Sequence, residues 1–334
     1  MNKKQIFVIC EYKFGTNIFK NVTFELLSRA FELKLQGFKE FNKEYEVCAV
    51  VLDCGIDADF SPLFKHGAQR VIYLKNEKFR TYNLKYLGCA LIELVKQKSP
   101  EIMLFGATNR GREIAPYVTS RLKTGLTADC TKLELVENKG EIKLASTRPT
   151  FGGVLMATIL CKKNPQCATV REGVTPAIDK GFTLGEVEEI PLGVNYCDNS
   201  LVKLIEFIEK PCLDSSLENA QIIFAGGAGL KTKENVEKLK TLAQKFNAGF
   251  AVSRKLVEMG FATQCEQVGQ TGKTVAPKLY ITFGISGANQ HIMGMNASKT
   301  VVAINKDENA PIFENCDYKI VADAVEIIDE LLKI

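Results

Sequence analysis

Short apolar runs alternate with amphipathic stretches along the first third of the chain. Runs of this kind are typical of buried strands, and the stretches between them are typical of helices that cover a sheet. The predicted strands are 6–10, 47–52, 70–74 and 101–105, and the predicted helices are 22–36, 58–65, 82–98 and 110–122. This rhythm predicts a parallel sheet with helices on both faces, whose ligands bind beyond the carboxyl ends of the strands.

The pattern changes after Gly125, where strand-like pieces follow one another without helices between them. They cover residues 132–136, 142–145, 154–161 and 168–171, and we interpret them as an antiparallel extension. Residues 185–199 read as irregular, and residues 202–208 read as one more strand. A turn at Pro211 then predicts a boundary between a first domain, residues 1–211, and a second domain, residues 212–334.

The alternation of strands and helices resumes at residue 221. The predicted strands are 222–225, 279–283, 301–304 and 319–321, and the predicted helices are 234–246, 253–259, 290–295 and 324–332. The fold class is therefore α/β, with two doubly wound three-layer domains. The C-terminal domain has a parallel sheet, and the N-terminal domain carries the antiparallel extension.

Composition excludes several classes of protein. Hydrophobic residues make up 46% and charged residues 25% of the chain, and the net charge of +4 is dispersed, which predicts a soluble protein without a nucleic-acid partner. No segment approaches the roughly 20 apolar residues of a membrane span, and the N-terminus lacks a signal-peptide core, so we expect a cytoplasmic location. The 11 cysteines, in a sequence without a signal peptide, predict reduced thiols. Their nearest pairs are six residues apart, which predicts no iron–sulfur or zinc site.

Glycine and polar residues cluster where the strands of the second domain end. The clusters are GGAG at 226–229, GQTGKT at 269–274, GISGANQH at 284–291, AINKD at 303–307, and Asp323. The second cluster is not a P-loop, because Gln267 stands where that motif requires glycine. Taken singly, a glycine turn is equally explained by sterics, and His291 by a structural role. Together, at four strand ends, they predict a nucleotide site.

Longer runs resemble a known family. VGQTGKTVAP, LYITFGISGANQHIMGM and SKTVVAINKDENAPIFENCDYKIVAD resemble the FAD-binding domain of the electron transfer flavoprotein α subunit. GGAGLKTKEN and SRKLVEMG extend the resemblance upstream, and GATNRGREIAP, TGLTADCT, TRPTFGG and ATVREGV extend it through the first domain. The resemblance implies FAD as cofactor, bound by the second domain with its ring near a subunit interface.

The resemblance also implies which residues bind the cofactor. Thr271 would approach the N5 edge of the flavin, Arg254 would lie against the ring, and His291 would be nearest the pyrimidine edge. Positive charge from the guanidinium and imidazole groups would tune the flavin potential. The full implied set is Ser253, Arg254, Val268, Gly269, Gln270, Thr271, Ser286, Gly287, Ala288, Asn289, Gln290, His291, Asn305, Asp323 and Ala324, with Asn305 and Asp323 at the ADP end.

One position departs from the family pattern. The family turn reads GGRG, with an arginine beside the cofactor phosphates, whereas this chain has Ala228. Lys231 or Lys233 is the candidate substitute, and weaker FAD binding is the expected consequence. GLTADC and TRPTFGG, in the first domain, look closest to α subunits of electron-bifurcating complexes from anaerobes.

The implied function is that of the α subunit of a heterodimer. It would shuttle single electrons between a β-subunit flavin or NADH and an acyl-CoA dehydrogenase-like flavoenzyme, in flavin-based electron bifurcation. The first domain would pack on the β subunit, and NADH oxidation would need that subunit, because no paired acid and base or nucleophile accompanies the flavin loops. A plain non-bifurcating carrier and, less favoured, a free-standing flavin oxidoreductase remain the alternatives, with a decayed flavin site as a third.

Overall fold

The structure is a computed structural model that describes residues 3–12, 16–55, 59–150, 155–191, 205–206, 217 and 220–334. The chain divides into two compact units, which we call the N-terminal unit, residues 1–207, and the C-terminal unit, residues 208–334. The predicted boundary at Pro211 lies outside the described residues. Most of the predicted strand 202–208 also lies outside them, and Ile205 and Glu206 belong to no strand.

A seven-stranded parallel sheet forms the centre of the N-terminal unit. Its strands are β1 (Lys4–Ile9), β2 (Tyr45–Asp53), β3 (Arg70–Lys75), β4 (Ile102–Gly106), β5 (Leu126–Cys130), β9 (Gln166–Val170) and β10 (Glu186–Pro191). Their order is β10-β3-β2-β1-β4-β9-β5. The helices are α1 (Asn21–Phe41), α2 (Ser61–Lys65), α3 (Leu84–Lys98) and α4 (Asn109–Leu122). Alternate residues of β1 enter two different cores, so both faces of the sheet are covered, as predicted.

A separate antiparallel sheet of three strands confirms the predicted extension. Its strands are β6 (Lys132–Asn138), β7 (Glu141–Thr150) and β8 (Leu155–Leu160), with β7 in the centre. The assignment of residues 168–171 to this extension is wrong, because β9 pairs in parallel with β4 and β5. All residues of β9 are buried, which suits a strand inside a covered parallel sheet.

Two edge strands of the N-terminal sheet are absent from the sequence prediction. Residues 185–199 read as irregular, but β10 pairs in parallel with β3. Pro191 is its last residue, a position where an edge strand tolerates the missing N–H. The other strand, β5, is short and contains a register shift between Thr127 and Cys130, which hides its periodicity.

The C-terminal unit is a second doubly wound domain, as predicted. Its strands are β11 (Ile222–Gly226), β12 (Gly249–Val252), β13 (Leu279–Phe283), β14 (Val301–Asn305) and β15 (Tyr318–Val321). Its helices are α5 (Lys233–Lys245), α6 (Arg254–Glu258), α7 (Asn289–Met295) and α8 (Ala324–Lys333). The strands are all parallel, in the order β12-β11-β13-β14-β15. Strand β12, with four residues, is too short for its pattern to be recognised in the sequence.

Each parallel sheet has a point where its strand order reverses. In the N-terminal unit β2 lies on one side of β1 and β4 on the other, and in the C-terminal unit β12 and β13 flank β11 in the same way. Successive connections leave such a pair of strands toward opposite faces, which opens a crevice at their carboxyl ends. Each unit therefore has one crevice of the kind that binds nucleotides in open α/β sheets.

Two general predictions can be compared with this fold. Cys265 is disulfide-bonded, contrary to the prediction of reduced thiols, because spacing in the sequence does not show which thiols meet. Among the described residues, the free thiols are Cys10, Cys48, Cys54, Cys89, Cys130, Cys161, Cys167 and Cys316. Within the described part of the chain, no helix has both the length and the apolar character that crossing a bilayer requires.

Candidate functional site

Two glycine-rich loops meet at the crevice of the C-terminal unit. A Cβ atom on Gly227 would lie 2.3 Å from the Gly284 carbonyl oxygen, and a Cβ atom on Gly229 would lie 2.8 Å from the Gly284 Cα. The Gly229 N–H donates to that same carbonyl at 3.0 Å. Gly284 itself has a φ of 66°, a conformation that glycine adopts without strain. The loops after β11 and β13 therefore touch backbone to backbone, and only glycine permits this contact.

A third loop lies against α7. The Gln270 N–H donates to the Gln290 carbonyl at 2.7 Å, and a Cβ atom on Gly269 would lie 2.8 Å from that carbonyl oxygen. Gly294, on α7, also packs against the Gly269 backbone, where a Cβ atom would come within 2.4 Å of its nitrogen. This contact brings two parts of the implied cofactor set, residues 268–271 and 286–291, together.

His291 is buried at this contact, with only 6% of its surface exposed. Its Nε2 lies 3.1 Å from the hydroxyl of Tyr280, which is fully buried in β13. Burial lowers the pKa of His291 to about 4, with the Val268 backbone acting in the opposite direction. The imidazole is therefore neutral at pH 7 in this structure, in contrast to the positive charge expected from the sequence.

The second imidazole nitrogen of His291 faces the protein interior. Its Nδ1 is buried and makes no hydrogen bond of normal geometry to any residue that the structure describes. The Val268 backbone is the polar group that acts on the ring from this side. His291 is thus packed beside the loop that carries Thr271.

Gln267 holds the Thr271 side chain. Its amide is 4% exposed, and Nε2 donates to the Thr271 hydroxyl oxygen at 2.9 Å. Its backbone carbonyl accepts from the Lys273 N–H at 2.7 Å, which closes the loop. Because the Thr271 oxygen accepts this bond, its own proton is left to donate to a further acceptor. Gln267 is absent from the cofactor-binding set implied by the resemblance, because its contact with Thr271 is visible only in three dimensions.

Arg254 begins α6, directly after β12. Its side chain is 67% exposed, and Nε donates to the Glu258 carboxylate at 2.8 Å. Lys255 lies 3.7 Å from the same carboxylate. Ser253 precedes the helix, and its N–H donates to the Gly226 carbonyl, but its hydroxyl makes no cap. The structure thus places Ser253 and Arg254 at the same sheet edge as the glycine loops.

The residues implied at the ADP end make local bonds. Asn305 donates from Nδ2 to the Ile285 carbonyl at 2.9 Å, which ties the end of β14 to the loop after β13. Asp323 accepts from the Val325 N–H at 2.8 Å and so caps α8, and Ala324 is buried in the adjacent core. These last two residues follow the edge strand β15, two strands away from β13.

The loop after β13 carries free hydrogen-bond donors. Ser286, Ala288, Asn289 and Gln290 are exposed, whereas Gly287 is buried. The backbone N–H groups of residues 286–288 make no hydrogen bond to a residue in the described part of the chain. Together with the close glycine loops, these donors fit the acceptor-rich pyrophosphate of FAD.

Comparison with known proteins agrees with this fit. Residues 13–193 match the sequence model of the electron transfer flavoprotein domain, and residues 216–296 match that of the electron transfer flavoprotein FAD-binding domain. The second match covers the glycine loops and His291, and it shows FAD to be the cofactor.

Individual relatives match over nearly the whole chain. The electron transfer flavoprotein subunit alpha of Thermoanaerobacterium thermosaccharolyticum is 41% identical, over 99% of this chain and 97% of the relative. Protein FixB of Clostridium saccharobutylicum is 40% identical, over 92% of each. The acryloyl-CoA reductase electron transfer subunit beta of Anaerotignum propionicum is 33% identical, over 98% of this chain and 95% of the relative. The chain belongs to the electron transfer flavoprotein family, among its α subunits and FixB proteins.

Proposed function

We propose that this chain works as the α subunit of a heterodimeric electron transfer flavoprotein, with FAD in the crevice of the C-terminal unit. It passes single electrons between a flavin or NADH on the β subunit and an acyl-CoA dehydrogenase-like flavoenzyme. When bound, FAD supplies the one-electron chemistry. The observation that carries the proposal is the set of glycine loops and free donors at one sheet edge.

Different residues of the chain would bind different parts of the cofactor. The N–H groups of residues 286–288 would bind the cofactor phosphates, the Thr271 hydroxyl would approach the N5 edge of the ring, and His291 would be nearest its pyrimidine edge. Ser253 and Arg254 would lie against the ring, while Asn305 and Asp323 would order the ADP end by holding the loop after β13 and the start of α8. Because the side chains of Thr271, Asn305 and Asp323 are hydrogen-bonded in place, they would lose little entropy when the cofactor binds.

We further propose that the β subunit docks on the N-terminal unit at β8. This edge strand pairs only with β7 among the described strands, and Leu155, Met156 and Ile159 are 56%, 56% and 41% exposed. A groove of about 320 Å³ runs between β8 and β5, and Lys162 and Lys163 lie at its end. An exposed apolar edge strand beside cations suits an extended partner segment with apolar and acidic side chains.

Substitution on β8 tests this docking site. We expect Ile159→Glu to weaken the heterodimer at least tenfold, because it puts a charge into an apolar contact. Leu184→Glu is the control, since Leu184 is 90% exposed in the same unit but does not lie on β8. Size-exclusion chromatography of the co-expressed subunits measures both. Equal heterodimer yield for the two variants would contradict docking on β8.

Bifurcation is the favoured form of this function, and the first-domain motifs support it. Arg171 pairs with Asp129 at 2.7 Å, and Arg112 lies 3.7 Å from the same carboxylate. Arg148, from the TRPTFGG motif, contributes further positive charge to this cluster, and its Nε is buried without a partner among the described residues. Three arginines around one carboxylate leave net positive charge, which suits an anionic group of the partner such as a second bound nucleotide.

Co-purification with the β subunit distinguishes the alternatives. Two FAD molecules per heterodimer together with NADH oxidation indicate bifurcation, whereas one FAD with AMP indicates a plain carrier. The chain alone should hold FAD yet oxidise no NADH, because we assign the NADH site to the β subunit. A flavin that turns over NADH without the β subunit would favour a free-standing oxidoreductase, and absence of flavin from the heterodimer would overturn the proposal.

A further inference from the structure

We propose that Tyr280 is a positioning residue that fixes the tautomer of His291, so that Nδ1 carries the proton and the ring is a neutral donor beside the loop that carries Thr271. The part of this inference that concerns the cofactor rests on the function proposed above. The part that concerns the tautomer rests on the two side chains alone. It replaces the cationic imidazole expected from the sequence with an uncharged hydrogen-bond donor.

The two neutral tautomers of His291 leave different numbers of polar groups without a hydrogen-bond partner. The Tyr280 hydroxyl and His291 Nε2 are 3.1 Å apart, and either atom can donate. Tyr280 is fully buried, and its hydroxyl has no other partner in the described part of the chain. If Nε2 carries the proton, both the phenolic proton and Nδ1 are left without partners. If Nδ1 carries it, the phenol donates to Nε2 and the Nδ1–H is directed at the Val268 backbone, which costs less free energy.

The surroundings of the pair keep the imidazole uncharged. The ring is packed between β13 and the loop that contains Val268 and Gly269, and no carboxylate contacts it among the described residues. Burial without a counter-ion disfavours the imidazolium ion, and a phenol that donates to Nε2 requires that nitrogen to be unprotonated. A neutral ring with the proton on Nδ1 therefore directs a hydrogen-bond donor toward the Val268 backbone, in the loop that carries Thr271.

The tautomer of His291 can be measured because the chain contains few histidines. It contains two histidines, so the imidazole ¹⁵N spectrum of the uniformly labelled full-length chain holds two ring systems. His66 is an internal reference, because its Nδ1 lies 2.8 Å from the Pro62 carbonyl, which can only accept. A His66→Gln variant assigns its signals. We expect His291 at pH 7 to be neutral and protonated at Nδ1; protonation at Nε2, or on both nitrogens, would overturn the inference.

Tyr280→Phe removes the hydroxyl while keeping the ring. We expect it to abolish the preference for the Nδ1–H tautomer and to speed FAD release about three- to tenfold, as expected for one misdirected hydrogen bond. Tyr45→Phe is the matched control, because Tyr45 is a nearly fully buried tyrosine of the N-terminal unit, and neither property should change.

An unchanged His291 tautomer in Tyr280→Phe would refute the positioning role. If that variant does not fold, the tautomer in the unmodified chain still decides the inference. Failure of the unmodified chain to bind FAD would instead contradict the proposed function and leave the tautomer result standing on its own measurement.

Discussion

The crevices of the two units differ in what occupies them. In the N-terminal unit, the Glu11 carboxylate lies at the start of α4, where it accepts from the Thr108 hydroxyl at 2.6 Å and from Lys20 Nζ at 2.9 Å. The cleft left between β1 and β4 is about 70 Å³ and mostly apolar, far below the several hundred cubic ångströms of a cofactor pocket. The Glu11 side chain thus occupies the position in this crevice at which a ligand would bind.

The crevice of the C-terminal unit is left open to a ligand. Its two loops, residues 226–232 and 284–291, contain neither Asp nor Glu, and the N–H groups of residues 286–288 have no partner among the described residues. Both units therefore have the sheet topology of a nucleotide-binding domain. Topology creates the crevice, but the side chains at its rim decide whether it binds a cofactor.

Glycine alone does not distinguish the two crevices. In the N-terminal unit, a Cβ atom on Gly111 would lie 1.9 Å from the Gly106 carbonyl oxygen, which is as tight as any contact between the loops of the C-terminal unit. There the glycine lets α4 approach β4, and the Thr108 hydroxyl caps the helix by accepting from the Gly111 N–H. The glycine serves packing in one unit and, we propose, cofactor approach in the other.

Alanine at one glycine of each unit gives the largest expected contrast. Gly227→Ala should weaken FAD binding by about a hundredfold, because the new methyl group forces the glycine loops apart at a cost of a few kcal/mol. Gly111→Ala should destabilise the N-terminal unit by a similar free energy but leave the FAD dissociation rate unchanged. Flavin fluorescence on release and urea unfolding measure the two effects. Faster FAD release from Gly111→Ala than from Gly227→Ala would reverse the assignment of the crevices.

The buried imidazole makes the stability of the C-terminal unit depend on pH. The folded pKa of His291, about 4, is below the value of 6.5 that it has when exposed. Unfolding therefore takes up a proton between these values, so stability is complete above about pH 6.5 and falls as the pH drops toward 4, by about 3 kcal/mol in total. Urea unfolding of the unmodified chain and of His291→Gln measures the difference; equal pH slopes would contradict a buried neutral imidazole.

Sequence patterns predict the layers of this fold better than they predict which strands pair. The periodicity of long amphipathic helices such as α1 and α4 is visible in the sequence, whereas β12 is short and β5 is irregular. The wrong placement of β9 has another cause. Its fully buried residues read equally well as a strand of either sheet, and only its pairing with β4 over a long separation in sequence decides between them.

The candidate site shows the same limit at the level of single residues. Thr271 and His291 are found because the resemblance implies their roles, whereas it implies no role for the side chains that hold them, even though Tyr280 lies in the same run as His291. Gln267 and Tyr280 have no distinguishing pattern in the sequence, since a polar loop residue and an aromatic strand residue are ordinary. Their roles follow from contacts at 2.9 and 3.1 Å that exist only after folding.

Ala228 tests whether the open crevice lacks a phosphate ligand. It is exposed beside the glycine contact, and Lys231, with a φ of 64°, is exposed at the end of the same turn. Ala228→Arg should add a charge-assisted bond of about 1.5–3 kcal/mol and slow FAD release roughly ten- to hundredfold. Lys231→Met is the companion variant. If Ala228→Arg has no effect while Lys231→Met speeds release, the lysine already serves as the phosphate ligand.

Arg254 gives the smallest expected effect and the most specific one. Its ion pair with Glu258 is exposed on both sides, so the pair contributes little to stability and the guanidinium is easily turned toward a bound ring. Arg254→Ala should lower the reduction potential of the bound FAD by tens of millivolts, because it removes positive charge from beside the ring.

Glu258→Gln should raise the potential slightly, since it releases the guanidinium from its partner. Lys255→Ala is the control, because Lys255 lies on the same helix and faces the same carboxylate at 3.7 Å. A redox titration in which the Arg254 and Lys255 variants shift the potential equally would mean that the surface charge of α6 acts as a whole and that Arg254 has no particular place at the cofactor.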